Sequence, residues 1–197
     1  MKYLFVLLTA IFLHTTAFSQ QYFTRTGHIH VNSSSKVMNM EADNFQMNSR
    51  FNAQTGEATF TGLIKSFEFD LGLADRILHN KRINVVEQPK ILFEGSITGL
   101  EDKDLSVPGE HTVTVAGNLY IWGYKRVTSA QGTVTVNPDG TLQAVSNFEM
   151  VIEEESVDKI NELMRQYLPD IISVDAEELG LSREINVGVN MNYRPKA

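Results

Sequence analysis

The sequence predicts an all-β protein, an antiparallel eight-stranded closed barrel with short helical insertions. The strongest observation lies in residues 111–122, where apolar side chains recur at every second position, as in a strand with one apolar and one polar face. A second alternating run, residues 124–136, follows directly and ends at the turn sequence Asn-Pro-Asp-Gly at 137–140. Two long strands of this kind need hydrogen-bonding partners at both edges, and their apolar face must be buried against other apolar groups. A closed barrel provides both.

Residues 1–19 are predicted to be a secretory signal peptide that is removed. They begin with Met-Lys, continue with an apolar run over residues 4–13, and end with the small residues Ala17 and Ser19. A membrane anchor is disfavoured because this run is well short of the ~20 residues that span a bilayer. The remaining residues, 20–197, are expected to form a single domain in the periplasm or outside the cell.

Composition narrows the classes of function. The chain has no cysteine, so an exported form has no disulfides, no thiol nucleophile, no thiolate metal site and no cysteine for lipid attachment. The net charge is −7, and no basic cluster offsets it. Nucleic acids and anionic membrane surfaces require such a cluster, so neither nucleic-acid binding nor stable membrane insertion is expected.

Two strands are predicted before the first clear turn. Residues 24–31 alternate weakly and form the first strand. Residues 37–41 and 45–51 are strand-like pieces of a second strand, joined by a predicted bulge at 42–44. Residues 52–56 then form a hairpin turn, because they combine Asn, Thr and Gly.

The third strand, residues 57–70, contains a change of phase. Phe67 and Phe69 fall on the opposite parity to the apolar residues that precede them. A bulge near residues 65–66 would return both aromatic rings to the inner face. The preceding inward residues are Ala58, Phe60, Gly62 and Ile64.

Three more strands complete the count of eight. One starts at Pro89, where proline is tolerated, and it places Ile91 and Phe93 on one side. The others are residues 142–152, after the central pair, and residues 185–193, both with regular alternation.

Helical spacing replaces alternation in two places. Residues 74–81 are predicted to form a short helix or irregular cap, and residues 156–168 a helix that begins at Ser156 and ends before Pro169. The segments 71–81 and 156–181 are therefore predicted to act as lids over the barrel.

The sequence offers no catalytic constellation. His28 and His30 would point the same way on a strand and could begin a metal site, but no third ligand is evident nearby. The acidic cluster at 153–155 lies before a helix start, where acids favour the helix dipole and solvent. No nucleophile motif or phosphate-binding loop is present. We therefore expect no enzyme activity, no metal and no cofactor.

Large apolar residues at inward parity are the more informative feature. An eight-stranded barrel is just wide enough to be filled by side chains or to hold one slender ligand, and composition leaves both open. A long apolar ligand would gain about 0.8 kcal/mol per methylene buried. The residues are Phe45, Met47, Phe60, Ile64, Phe93, Leu119, Ile121, Phe148, Met150 and Met191.

Several motifs in order resemble the YceI-like family. They are Ser-Phe-Glu-Phe at 66–69, Asp-Arg-Ile-Leu at 75–78, the strand entry at 84–95, and a Val-x-Gly-x-Leu-x-Ile-x-Gly stretch with following basic residues at 115–126. The likeness covers most of residues 22 to 194. Two features depart from the family pattern. Gln88 replaces an aromatic residue, and residues 153–180 are predicted to form an acidic helical segment.

The resemblance implies a lipocalin-like barrel, exported to the periplasm, that holds a polyisoprenoid or a similar long-chain amphiphile in its lumen. It implies no catalytic residue. Phe67, Phe69, Ile91, Phe93, Leu119 and Ile121 match the family's apolar barrel positions. The predicted ligand-binding set is Phe45, Phe60, Ile64, Phe67, Phe69, Ile91, Phe93, Leu119, Ile121, Phe148 and Met150.

Two other classes of protein stay open, and so does a homodimer. One is a secreted structural or partner-binding module whose barrel is filled. The other, which is less favoured, is a small outer-membrane barrel, in which the apolar and polar faces are exchanged.

Overall fold

The computed structural model describes residues 21–34, 39–70, 72, 75, 79, 89–121, 123–152, 154 and 183–196. Their alternating sequence forms strands, with one short 3-10 turn at Ile64–Ser66 between the third and fourth. The strands are β1 (Gln21–Ser34), β2 (Asn39–Asn52), β3 (Glu57–Leu63), β4 (Glu68–Phe69), β5 (Lys90–Thr98), β6 (Gly109–Ile121), β7 (Tyr124–Val136), β8 (Leu142–Val151) and β9 (Glu184–Pro195).

Eight of these strands close into an antiparallel barrel. Their order is β1-β9-β8-β7-β6-β5-β3-β2, and β2 pairs back onto β1. The two-residue strand β4 also pairs with β2. It continues the pairing along the edge of β2 where the pairing of β3 with β2 has ended. The predicted fold class is therefore confirmed. The predicted lids, 71–81 and 156–181, fall largely outside the described residues.

Two bulges lie close together on β1 and β2. On β1, the extra residue falls between Thr24 and Gly27, and Thr24 Oγ1 accepts a hydrogen bond from the Thr26 amide at 3.3 Å. On β2, it falls between Asn44 and Met47, and Asn44 Oδ1 accepts a hydrogen bond from the Gln46 amide at 2.9 Å. Each bulge is thus closed by the polar side chain that precedes it. The bulge predicted at 42–44 is therefore misplaced, because the register shifts at 45–46.

The 3-10 turn at Ile64–Ser66 has the effect predicted for an irregularity near 65–66. Ile64 is buried before the turn, and Phe67 is buried after it. Phe69 then pairs with the buried Ala42 of β2, so it faces the same side of the barrel wall. Both aromatic residues return to the inner face, by a turn rather than by a bulge.

One end of the barrel is densely filled, and we call it the packed end. It includes the start of β1 and the ends of β2 and β9, and the loop residues Leu100 and Leu105 lie buried against it. Ser49 Oγ and Tyr193 Oη share a buried hydrogen bond of 2.7 Å there. The side chains that fill it include Tyr22, Phe51, Ala58, Ile97, Val113, Val136, Leu142 and Tyr193.

Candidate ligand-binding lumen

The opposite half of the barrel, which we call the lumen end, carries several apolar side chains that are only half-buried, beside buried ones such as Phe93. It consists of the ends of β6 and β8 and the starts of β5, β7 and β9. The register keeps these side chains on the inner face, since Leu119 lies opposite Phe93 and Phe148 opposite Val187. The half-buried inward residues are Ile91, Leu119, Ile121, Phe148 and Met150.

Two methionines separate the packed end from the lumen end. Met47 and Met191 are 1% and 0% exposed. The sulfur atom of each methionine lies against a glycine on a neighbouring strand, Met47 against Gly62 and Met191 against Gly27. A Cβ atom at either glycine would overlap this sulfur. A flexible, polarisable thioether fits such irregular gaps well. The two side chains therefore form an apolar floor to the lumen.

The aromatic wall of the lumen depends on a pair of glycines. Gly95 and Gly117 lie directly opposite each other on β5 and β6. A Cβ on Gly95 would lie 2.7 Å from Cζ of Phe93, so the Phe93 ring occupies the space above this glycine. Phe60 meets the same ring edge-to-face, with centroids 5.3 Å apart and planes at 70°. Gly95 thus leaves room for the ring that lines the lumen, while Gly117 allows the close approach of the β5 backbone.

A seam opens between β7 and β8 at the lumen end. Their pairing extends from the packed end to Gly132 opposite Ser146 and goes no further among the described residues, although both strands continue. Val127 and Val151 border the seam and are 79% and 44% exposed. Among the described residues, the barrel wall is therefore not joined by strand pairing next to Phe148.

Two arginines reach the far end of this seam. The Arg126 guanidinium donates a hydrogen bond to the Val151 carbonyl across it. Arg183 Nε donates to the Ile152 carbonyl at 3.3 Å, and its Nη1 lies 3.9 Å from Glu154. Both cations therefore lie where β8 leaves the barrel.

Arg126 has a second property that matters chemically. It lies opposite Leu119 in the register, and Leu119 lies opposite Phe93, so the three residues form one row on the inner face. Within the described barrel strands, Arg126 is the single Lys, Arg, Asp or Glu at an inward position.

The structure brings most of the predicted ligand-binding residues together on the inner face. Their contact with a ligand stays a prediction. These residues are Phe60, Ile64, Phe67, Phe69, Ile91, Phe93, Leu119, Ile121, Phe148 and Met150.

Phe45 is the exception, and its predicted inward position is wrong. It is 55% exposed, and its ring stacks on His28 with centroids 4.4 Å apart. The bulge at 45–46 puts Phe45 out of phase with the buried Met47, so equal parity in the sequence does not give equal faces.

His28 and His30 point the same way, as predicted, but their partner was not predicted. Both imidazoles donate to Asp43 Oδ1, His28 Nε2 at 2.6 Å and His30 Nδ1 at 3.0 Å. Burial raises the pKa of Asp43, but the hydrogen bonds and charges of the two histidines outweigh this and lower it overall. Within the described residues, no group of three or more His, Asp or Glu side chains is arranged to hold a metal ion.

Sequence reasoning left three lumen-end residues out of the site. Ile185 and Val187 are buried opposite Met150 and Phe148, and the alternation of the last strand could have identified them. Arg126 could have been found only from the register of β6 against β7, because it lies in a run of mostly polar residues.

The fold and the lumen define a lipocalin-like barrel with an apolar interior. No helix within the described part of the chain has the length and apolar character needed to span a bilayer. By sequence, no protein-family model and no curated relative matches the chain.

Solved structures do match. The chain is similar to a polyisoprenoid-binding domain from Saccharophagus degradans implicated in plant cell wall breakdown, with a TM-score of 0.68 and 12% identity over 90% of this chain and 99% of that one. It is also similar to BcnA of Burkholderia cenocepacia, with a TM-score of 0.57 and 14% identity over 85% of this chain and 96% of that one. At these identities the likeness shows the fold. It confirms the fold that the resemblance to the YceI-like family implied.

Proposed function

We propose that this protein is an exported YceI-like carrier that holds the chain of a polyisoprenoid, or of a similar long-chain amphiphile, in the lumen end of its barrel. The observation that carries the proposal is the contrast between the two halves of the interior. The packed end is filled, whereas the lumen end presents half-buried apolar side chains such as Leu119 and Phe148 on an inward-facing wall.

The physical driving force would be burial. Each methylene transferred from water to the lumen contributes about 0.8 kcal/mol, so a long chain binds with few polar contacts. The floor formed by Met47 and Met191 would stop the chain, and the phenylalanine pair Phe60 and Phe93 would line its path. Catalysis has no place in this proposal, because it requires only burial and release.

Export of the carrier is part of the same proposal. A signal peptide at residues 1–19 would deliver the domain to the periplasm or outside the cell, where a poorly soluble lipid needs a carrier to cross water. A domain without cysteine suits such a place if its stability comes from the core and the closed ladder of strands.

The two other classes predict different molecules. A filled structural or partner-binding module would carry no lipid in any preparation. An outer-membrane barrel would place its apolar band outside, whereas the outward positions of β6 beside Leu119 carry Asn118 and Tyr120, and those beside Val113 carry threonine.

The test is to recover the protein from its native compartment without detergent, record its native mass and extract any bound molecule. We expect a stoichiometric apolar adduct. Leu119→Trp and Phe93→Trp should each abolish the adduct, because an indole ring fills the lumen, while the unfolding free energy changes by no more than about 1–3 kcal/mol.

The matched control is Asn118→Trp, which puts the same ring on the outer face of the same strand. It should keep the adduct. An apo mass in repeated preparations, or an adduct that persists in both lumen variants, would favour the filled module and reject the carrier.

A further inference from the structure

We infer that the cargo has an anionic head group, such as a phosphate or carboxylate, and that Arg126 binds it at the mouth of the lumen. This inference rests on the proposed function and names the ligand class more narrowly. A carrier of neutral lipids would not need a cation on the inner face of its barrel wall.

The position of Arg126 places a cation at the end of an apolar path. Phe93, Leu119 and Arg126 lie side by side on the inner face of β5, β6 and β7. An amphiphile whose chain lies against the first two residues would bring its polar head to the third. Head and chain would then be bound by adjacent side chains of one cross-strand row.

The guanidinium group of Arg126 favours an anionic head group over a neutral one. It presents five N–H donors in a planar fork that matches phosphate and carboxylate oxygens, and a neutral hydroxyl cannot use that fork fully. In the structure the guanidinium already has protein partners, among them the Val151 carbonyl. An anionic oxygen is a stronger acceptor than a peptide carbonyl, so it would compete with this carbonyl for the donors.

The charge of the rest of the molecule makes a local cation necessary. The chain carries −7 overall, which repels anions at long range. An anionic lipid would therefore be bound only if a cation lies at the point of contact. Arg126 is in that position, whereas the neighbouring Lys125 lies on the outer face, with Nζ 5.9 Å from the centre of the Tyr120 ring.

The experiment compares two ligands with one chain, geranylgeranyl phosphate and geranylgeraniol, by isothermal titration of lipid-free protein. The wild type should bind the phosphate at least about tenfold more tightly than the alcohol, because charge-assisted hydrogen bonds are roughly twice as strong as neutral ones. Raising the salt from about 50 to about 500 mM should narrow this preference.

Arg126→Gln should abolish the preference while the alcohol binds within about twofold of wild type, since the apolar wall is unchanged. Lys125→Gln removes the same charge from the adjacent residue on the outer face and should keep the preference. If Arg126→Gln does not fold, the role of Arg126 in the preference for the phosphate is tested with Arg126→Lys and with the salt dependence of the wild type. The lysine variant should retain a weaker preference, because a point charge lacks the fork.

The outcomes separate the two proposals. Equal binding of both ligands by the wild type, or an unchanged preference in Arg126→Gln, would overturn the anionic head group and leave the carrier intact. Binding of neither ligand would overturn both proposals. Inorganic phosphate should not compete with geranylgeranyl phosphate at millimolar concentration, and Arg126-dependent competition by it would identify a free-phosphate site instead.

Discussion

The two ends of this barrel are built from the same alternating pattern but differ in how completely they are filled. At the packed end, inward side chains such as Leu142 and Tyr193 are excluded from water. At the lumen end, Leu119 and Phe148 occupy equivalent inward positions and remain half-buried. Stability and function are therefore divided along the barrel axis, because a filled core cannot admit a ligand and an accessible wall contributes less to folding.

The largest expected difference between the two ends is in the loss of unfolding free energy when a leucine at each end is replaced by alanine. Leu142→Ala removes a side chain that is 1% exposed and should lower the free energy of unfolding by about 3 kcal/mol, since transfer and cavity terms add. Leu119→Ala should lower it by only about 1 kcal/mol, because part of that side chain is already in water. Urea titrations of lipid-free protein measure both values. Equal losses would mean that the two ends are equally packed.

The second prediction concerns alkaline pH and the packed end. Burial raises the pKa of Tyr193, and its hydrogen bond with Ser49 lowers it by less. The folded state thus keeps the phenol protonated, so stability is present below pH ~10 and falls as the pH rises above it.

Tyr193→Phe should remove the Tyr193 part of this dependence, about 1.4 kcal/mol per pH unit at most, and leave the part due to Tyr22, whose pKa burial also raises. The variant should also cost roughly 1–2 kcal/mol near neutrality because Ser49 loses its partner. The free energy of unfolding at several pH values between about 9 and 11 measures both effects. A variant with the same alkaline slope as wild type would show that the phenol ionises without unfolding the packed end.

The smallest effect is expected on the outer face, near acidic pH. The pKa of Asp43 is below its ordinary value, so its contribution is present above about pH 4 and is lost as the pH falls. Asp43→Asn should change stability by less than about 1 kcal/mol at neutral pH, since the cluster is partly exposed to solvent. It should also flatten the acid limb of the stability profile. A loss comparable to that of Leu142→Ala would show that this cluster is a structural support of the barrel.

The fold was predictable because alternation is a local signal. The runs that became β6, β8 and β9 could be identified with their inner faces, since every second side chain must point the same way, whereas β7 could be identified only as a strand. The return of Phe67 and Phe69 to the inner face followed from the same rule, because two aromatic rings out of phase imply an irregularity between them.

The site was predictable only where the phase of a strand is unbroken. Phe93 and Leu119 lie on regular strands, and parity placed them correctly on the inner face. Phe45 was misplaced because the bulge that Asn44 closes lies at 45–46, after the residues 42–44 at which the sequence predicted it. Arg126 and Asp43 went unrecognised because their partners, Val151 and the two histidines, lie on other strands.

The sequence by itself determined the strands, their faces and the apolar character of the interior, since these depend on residues that are neighbours along the chain. Only the tertiary structure decided which half of the interior is filled, where the seam opens and which cation lies beside the lumen. These features depend on cross-strand register and on the volume of side chains that meet across the barrel. Such contacts join residues far apart in sequence, so no local periodicity encodes them.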